Sequence, residues 1–336
     1  MKTAIYIGRF QPFHNGHMRA IEHALRTVDR VVIILGSAQS PRTVKNPFTV
    51  DERMTMIRSA LGNSPIAAKI KFAAVSDNYN ETQWIASVLA IAEENGAEFI
   101  LGAEKDASSY YLRSFPTLQL IAAPLGYLGH EPVLSATEVR TILFDPKFPV
   151  DFLSGVVPAG CLNFLRSWKV TNNAAALCAE WKFIEDYKRQ WSVAPYPPTF
   201  VTVDAVVVQS GHVLMVRRGA NPGKGLLALP GGFVDQNERL RDAAVRELIE
   251  ETRISIPVEI LKARISASEV FDAPDRSLRG RTITHAFLIR LQDDKNLPIV
   301  KGSDDAADAM WVPISSLDPT KIYEDHLQII NTMTAK

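Results

Sequence analysis

Glu247, Glu250 and Glu251 stand three and four residues apart within a helix-forming stretch from about Glu238 to Thr252, and Pro230-Gly231-Gly232 precedes them. An α-helix repeats every 3.6 residues, so this spacing gathers the three carboxylates on one patch, where their charges repel. A divalent cation relieves that repulsion, and hard oxygen donors at this density suit Mg²⁺, with Mn²⁺ as the alternative. The segment therefore requires a helix set against a glycine turn, with a scaffold behind both. A solvated acidic helix face is the plain alternative.

The surrounding sequence supplies such a scaffold. Phe200–Val208 and His212–Val216 read as strands joined by Gln209-Ser210-Gly211, a hairpin signal; Thr284–Leu291 reads as a later strand and Asp325–Met333 as a terminal helix. Before the prolines at 195, 197 and 198 the pattern differs. Thr3–Gly8 is a buried strand, Gly16–Val28 has helical period, and Val31–Leu35 is a second apolar strand. Further strands at Ile70–Val75, Phe99–Leu101 and Leu118–Ala122 alternate with helices at Asp51–Leu61 and Thr82–Asn95. Alternation of this kind predicts a parallel sheet covered on both faces, an α/β fold.

From Phe152 to Trp191 the chain turns helical, with Leu177, Trp181, Ile184 and Tyr187 at spacings of three and four. A chain of 336 residues exceeds one ordinary core, at about 150 residues per domain. The expected division is a first domain over 1–168, a helical linker over 169–198 and a second domain over 199–336. The aromatic residues of the linker helix need burial, which a contact between subunits would provide, so a homo-oligomer is expected.

Composition narrows the class. Lys plus Arg equals Asp plus Glu at 37 each, so no global field favours a polyanion and nucleic acid is not an expected partner. An apolar fraction of 46% with 22% charged residues fits a soluble globular protein. Cys161 and Cys178 are too few for a disulfide framework and read as packing thiols of a reducing compartment. The short apolar run at the start is broken by Gly8 and Arg9, and no stretch approaches the ~20 apolar residues of a membrane span. The expected location is the cytoplasm, with no membrane partner.

A second site lies at the first strand-to-helix junction, Gly8-Arg9-Phe10-Gln11-Pro12-Phe13-His14-Asn15-Gly16-His17. Open α/β sheets place ligands at the carboxyl ends of their strands. His14 and His17 flank a helix start, Gly16 admits a phosphate close to the backbone, and the helix N-terminus adds N–H donors. By these residues alone, a turn with two solvated histidines stays open. Far downstream, Leu134-Ser135-Ala136-Thr137-Glu138-Val139-Arg140 contains a capping box, Ser135 with Glu138. Capping leaves Arg140 unexplained: near the helix start it opposes the dipole unless an anion compensates, although a solvated arginine is also open.

Together these two elements resemble the paired signatures of the HxGH nucleotidylyltransferases. With Gly36-Ser37-Ala38-Gln39, Asn46-Pro47-Phe48-Thr49 and Glu52-Arg53, residues 1–165 are similar to the archaeal-type nicotinamide mononucleotide adenylyltransferases. The resemblance implies a Rossmann-like doubly wound domain that transfers the adenylyl group of ATP to nicotinamide mononucleotide (NMN), giving NAD and pyrophosphate. It implies His14, His17 and Arg140 as catalytic, with Gly8, Arg9, Phe10, Gly16, Ser135, Thr137 and Arg140 around ATP and its Mg²⁺. Arg42 and Arg53 are implied as further phosphate contacts. Trp84 is a candidate to stack on the nicotinamide ring, with a place in the core as the alternative.

The carboxylate segment, Gly232-x5-Glu238-x7-Arg246-Glu247-Leu248-x-Glu250-Glu251, resembles the Nudix box. This implies an α/β/α sandwich whose Gly232, Glu247, Glu250 and Glu251 hold the metal, with Glu250 and Glu251 catalytic. Arg253 stands where the box normally has Gly, so the helix must close without the usual left-handed glycine. Downstream, Asp272-Ala273-Pro274-Asp275-Arg276-Ser277-Leu278-Arg279-Gly280-Arg281 is similar to a segment of ADP-ribose-binding Nudix proteins. That implies Arg276, Arg279 and Arg281 as substrate contacts; a solvated basic loop is the alternative. Glu324-Asp325-His326 also looks familiar from this group, without an assigned role.

The expected chain is thus bifunctional, making NAD and hydrolysing ADP-ribose to AMP and ribose 5-phosphate. The alternative keeps the transferase and makes the Nudix half a non-catalytic nucleotide sensor or assembly module. A fold resemblance alone does not choose between them.

Overall fold

The computed structural model of the chain describes residues 1–77, 81–102, 112–123, 127–128, 131–132 and 134–336. They form two compact units, Met1–Trp181 and Lys182–Lys336. The division falls inside a helix, α6 (Asn172–Gln190), within the stretch expected to be a linker.

In the first unit, β1 (Thr3–Gly8), β2 (Arg30–Leu35), β3 (Ile70–Ala74), β4 (Phe99–Gly102) and β5 (Gln119–Ala122) form a parallel sheet of order β3-β2-β1-β4-β5. Helices α1 (Asn15–Ala24), α2 (Val50–Leu61), α3 (Glu81–Glu94), α4 (Ala136–Phe144) and α5 (Ala159–Lys169) accompany it. Successive side chains of a strand point to opposite faces, and here both faces are apolar. Ala4, Ile33, Leu35 and Leu101 join a core with Ile21, Met56, Ile57, Leu143 and Leu165. Ile5, Ile7, Val32, Ile34 and Ile100 join another with Val88 and Ala92 of α3. This is the doubly wound fold the alternation predicts. A short hairpin, β6 (Tyr127–Leu128) and β7 (Glu131–Pro132), precedes α4. Cys161 is buried and its thiol donates to the Phe13 carbonyl at 3.1 Å, a packing role as expected.

The second unit has a mixed seven-stranded sheet built on β8 (Thr199–Gln209), β9 (His212–Arg218), β10 (Leu227–Ala228), β11 (Gly231–Phe233), β12 (Ile265–Phe271), β13 (Arg281–Arg290) and β14 (Ala306–Pro313). Ser210 and Gly211 both have positive φ, 47° and 73°, the two-residue turn that matches the twist of a hairpin. One face packs Ala205, Val207, Leu214 and Ile289 against Val245 and Leu248 of α7 (Leu240–Thr252) and Leu261 of α8 (Val258–Ala263). The other packs Val206, Met215 and Leu288 against Ile329, Ile330 and Met333 of α9 (His326–Thr334). The result is helix on sheet on helix.

Candidate active sites

In the first unit the strand order reverses between β1 and β4, and the crevice outside such a reversal is where open sheets bind ligands. Gly8 ends β1, and the loop after it carries both histidines to the start of α1. His14 is the N-cap: its Nδ1 accepts the Gly16 amide at 3.1 Å, and the His17 Nδ1 accepts the His14 amide at 3.2 Å. The rings lie 3.7 Å apart between centroids. A ring nitrogen that accepts cannot carry the proton, so each neutral imidazole holds its hydrogen on Nε2 as a donor. Phe10 and Phe13 pack on His17 at 4.8 and 5.5 Å, fixing its ring. Phe10 itself is in the left-handed region, φ 50°, which folds the loop sharply after Arg9.

Arg140 reaches this loop from α4. Its Nη1 donates to the Gln11 carbonyl at 2.8 Å and its Nη2 to Thr137 Oγ1 at 3.0 Å. Ser135 caps α4, and Glu138 completes the box by accepting from the Ser135 amide at 2.7 Å. Arg53, 1% exposed, donates to the carbonyls of Arg9, Gly36, Ser37 and Thr49. Burial, with the charge of Arg9 adding to it, lowers both guanidinium pKa values to about 10, while Asp77 opposes the shift at Arg53. Three arginines thus converge on one loop, as an anion site requires.

The structure distributes the remaining expected contacts unevenly. Arg42 is paired with Glu52 at 2.8 and 3.1 Å and also donates to the Pro47 carbonyl. Arg53 braces backbone with most of its donors. Trp84 is half-buried in the α3 core, 6.0 Å from Phe115, the core alternative left open by the sequence. Gln11 has a role that sequence spacing does not reveal: its side chain donates to the Phe48 carbonyl and accepts the Phe48 amide, both at 2.9 Å, joining the histidine loop to the Asn46-Pro47-Phe48 segment.

In the second unit, Gly231 and Gly232 lie under the carboxylate helix. A Cβ on Gly232 would sit 2.6 Å from Glu247 Oε1, and one on Gly231 only 2.1 Å from the Val203 carbonyl. Glu251 is buried, accepts the Gly231 amide at 3.1 Å, and faces a cleft of about 410 Å³. Burial raises its pKa to about 8, with repulsion from Glu247 and Asp204 adding to the shift. Arg246 holds the other carboxylates: it donates to Glu238 at 2.9 Å, Glu247 at 2.9 Å and Glu250 at 2.8 Å. Arg253 closes α7 in the left-handed conformation itself, φ 45°, with its amide on the Ile249 carbonyl at 2.8 Å. The glycine-free helix end therefore keeps the geometry that a glycine would give.

Of the three loop arginines, Arg276 and Arg279 line the cleft, whereas Arg281 begins β13 and is held by Asp272. Arg276 makes a two-point pair with Asp325 at 2.9 and 2.8 Å, which gives the Glu324-Asp325-His326 segment a role in seating the basic loop. His326 Nδ1 accepts the Leu229 amide at 2.9 Å, and burial drops its pKa to about 3. Buried Asp204 accepts from Thr284 at 2.5 Å on the cleft floor.

Among the described residues no three acidic or histidine groups are gathered as a finished cation cage. The donor set nevertheless fits a divalent ion. Glu247 and Glu251 are both destabilised as anions by burial, Glu251 also by Glu247 and Asp204 and Glu247 also by Glu250 and Asp304, a cost that a cation offsets.

Comparison with known proteins agrees with both halves. The Cytidylyltransferase-like family matches residues 5–142 and the NUDIX domain family matches residues 198–333. The chain is 34% identical over 169 residues to a nicotinamide/nicotinic acid mononucleotide adenylyltransferase of Acinetobacter baylyi, covering 49% of this chain and 85% of that protein. It is 35% identical over 130 residues to an ADP-ribose pyrophosphatase of Methanocaldococcus jannaschii, covering 39% of this chain and 70% of that protein. A solved bifunctional NMN adenylyltransferase/ADP-ribose pyrophosphatase from Francisella tularensis, complexed with AMP and a Mn ion, matches at a TM-score of 0.89 and 35% identity, over 99% of this chain and 98% of that one. The chain belongs to the family of bifunctional NMN adenylyltransferase/ADP-ribose pyrophosphatases.

Proposed function

We propose that the first unit transfers the adenylyl group of ATP to NMN and that the second hydrolyses ADP-ribose to AMP and ribose 5-phosphate. In the first reaction a phosphate oxygen of NMN attacks the α-phosphorus of ATP, the bond to the β-phosphate breaks, and pyrophosphate leaves. The work of the chain is positioning and charge neutralisation. We assign the Nε2–H groups of His14 and His17 to the phosphates, and Arg140, with Arg9, Ser135 and Thr137, to the pyrophosphate end. Arg53 and Gln11 hold the loops that carry these groups.

In the second unit we assign Glu247, Glu250 and Glu251 to a divalent cation of the Mg²⁺ type, which when bound neutralises the diphosphate and activates water. Arg276, Arg279 and neighbouring Arg218 line the same cleft as the anion-binding side chains. Gly231 and Gly232 let the carboxylate helix approach the cleft floor.

The observation that carries this reading is the presence of both sites in one chain: paired histidine donors at a strand-order reversal, and a carboxylate helix on a glycine turn beside an arginine-lined cleft. The test is to incubate the purified chain with Mg²⁺ and either ATP with NMN or ADP-ribose alone, and to identify products by chromatography. NAD with pyrophosphate, and AMP with ribose 5-phosphate, are expected. Failure of the first pair overturns the transferase assignment. ADP-ribose that binds but is not cleaved makes the second unit a sensor.

A further inference from the structure

The cleft of the second unit is not closed by the Nudix sheet and helices alone. Phe183 and Tyr187, one turn apart on α6, also line it. Phe233 of β11 lines the same cleft. Phe183 is 41% exposed and Phe233 39%, high values for large apolar rings beside a polar cavity.

Two of these three rings, Tyr187 and Phe233, are held by their neighbours. Tyr187 packs on Phe200 at 5.7 Å, Trp191 on the same ring at 5.2 Å, and Phe200 on Phe233 at 5.8 Å. The guanidinium of Arg279 lies 5.2 Å from the centre of the Phe233 ring, so the aromatic wall adjoins the cationic floor. A ligand that lays an anion on Arg279 therefore brings its neighbouring group against rings already fixed in place. The chemistry that suits both is a flat heteroaromatic base joined through a sugar to a diphosphate.

We propose that α6 supplies Phe183 and Tyr187 as specificity-determining residues of the pyrophosphatase site, where with Phe233 they stack on the base of the nucleoside half of the substrate. The helix leading into β8 thereby takes part in substrate selection. This inference rests on the assignment of ADP-ribose hydrolysis to the second unit.

The test uses the full chain with Phe183→Ala, Phe183→Tyr and Tyr187→Ala. Hydrolysis of ADP-ribose is measured, with AMP and ribose 5-phosphate, the two products, as competing inhibitors. Base–aromatic stacking of the usual strength predicts that Phe183→Ala raises the inhibition constant of AMP about tenfold and leaves that of ribose 5-phosphate unchanged. KM for ADP-ribose should rise in parallel with kcat nearly constant, Phe183→Tyr should restore both, and Tyr187→Ala should act in the same direction. Unchanged AMP inhibition in both alanine variants overturns the proposal, as does an equal loss for AMP and ribose 5-phosphate. NAD formation by the same preparations reports that the first unit is folded, and the retained kcat for ADP-ribose reports the same of the second. Absence of hydrolysis in the unmodified chain would instead defeat the underlying assignment, so the two failures are distinct.

Discussion

The side chain of Arg140 donates to the main-chain carbonyl of Gln11 across 2.8 Å, tying the start of α4 to the loop that carries both histidines. Gln11 in turn is bonded twice to the backbone of Phe48. Three segments far apart in sequence are locked through these two residues. Arg140→Lys keeps the charge but cannot reproduce the two-point contact to Gln11 and Thr137. The expected outcome is a loss of adenylyl transfer of ~10²-fold, expressed chiefly in kcat and in KM for ATP. Steady-state kinetics with each substrate varied in turn checks it; an effect confined to KM for NMN contradicts it.

His14 both caps α1 and offers Nε2–H, and the two roles separate by substitution. Asparagine is a good N-cap, so His14→Asn should preserve the helix start while removing the donor. NAD synthesis should fall ~10²-fold or more with little change in Tm. His14→Ala should lose the same activity and also about 1 kcal/mol of stability. Comparable activity of the asparagine variant and the unmodified chain would reject the histidine as a phosphate contact.

Arg253 occupies the left-handed region at φ 45°, which costs a non-glycine residue roughly 1–2 kcal/mol. Glycine removes that cost but adds entropy to the unfolded chain, about 0.5–1 kcal/mol. Arg253→Gly is therefore expected to stabilise the second unit by about 0.5–1 kcal/mol, seen as an upward shift of its thermal transition, with hydrolysis unchanged. A lowered transition would mean that the arginine side chain contributes more than its backbone costs.

His326 is buried, with Nδ1 accepting the Leu229 amide and a pKa depressed to about 3 from its ordinary 6.5. Below pH 6.5 the unfolded chain gains a proton that the folded chain does not take, so this group stabilises the fold above pH 6.5 and that stabilisation is lost as pH falls toward 3. Asparagine can accept the same amide without titrating. Unfolding measured between pH 7 and pH 4 should lose stability less steeply in His326→Asn than in the parent chain. Parallel slopes would show that the histidine is not the group responsible.

Much of this was legible in the sequence because it depends on local spacing. The helical period placed Glu247, Glu250 and Glu251 together, Ser135 with Glu138 was readable as a capping box, and the two-sided apolar strands announced a covered parallel sheet. What escaped were residues whose partners are distant. Gln11 bonds Phe48, Arg53 braces four carbonyls from three loops, and Arg276 pairs with Asp325, 49 positions away. Trp84 and Arg281 look like ligand contacts by type, and the fold also gives them protein neighbours: Trp84 lies 6.0 Å from the Phe115 ring and Arg281 donates to the Asp272 carbonyl. Residue type and motif membership do not reveal which donors are already satisfied; only the folded contacts do.

Glu250 and Glu251 offer the sharpest separation of the two activities. Both lie on α7, in a different unit from His14 and Arg140. Each activity is assigned to side chains of its own unit, so loss of a carboxylate on α7 is expected to leave the chemistry of the histidine loop unchanged. Replacing either by glutamine keeps size and helix propensity but removes a charge needed to hold a divalent cation. Without a cation, Glu251 is a buried carboxyl whose pKa is raised to about 8, so it is largely protonated at neutral pH; glutamine replaces it with a neutral amide of the same shape whose oxygen can still accept the Gly231 N–H, and the cation-free chain should be no less stable than its parent. Glu250→Gln weakens an ion pair with Arg246 that is 45% exposed on the glutamate side, a contribution of about 0–1 kcal/mol. Both variants are therefore expected to fold. ADP-ribose hydrolysis should be abolished, NAD synthesis should continue near its original rate, and added Mg²⁺ should raise the Tm of the parent more than that of either variant. Both reactions and the melting curve are to be measured on one preparation of each protein. Retained hydrolysis in both variants would sink the cation-site assignment, and joint loss of the two activities in a folded chain would show the sites to be coupled.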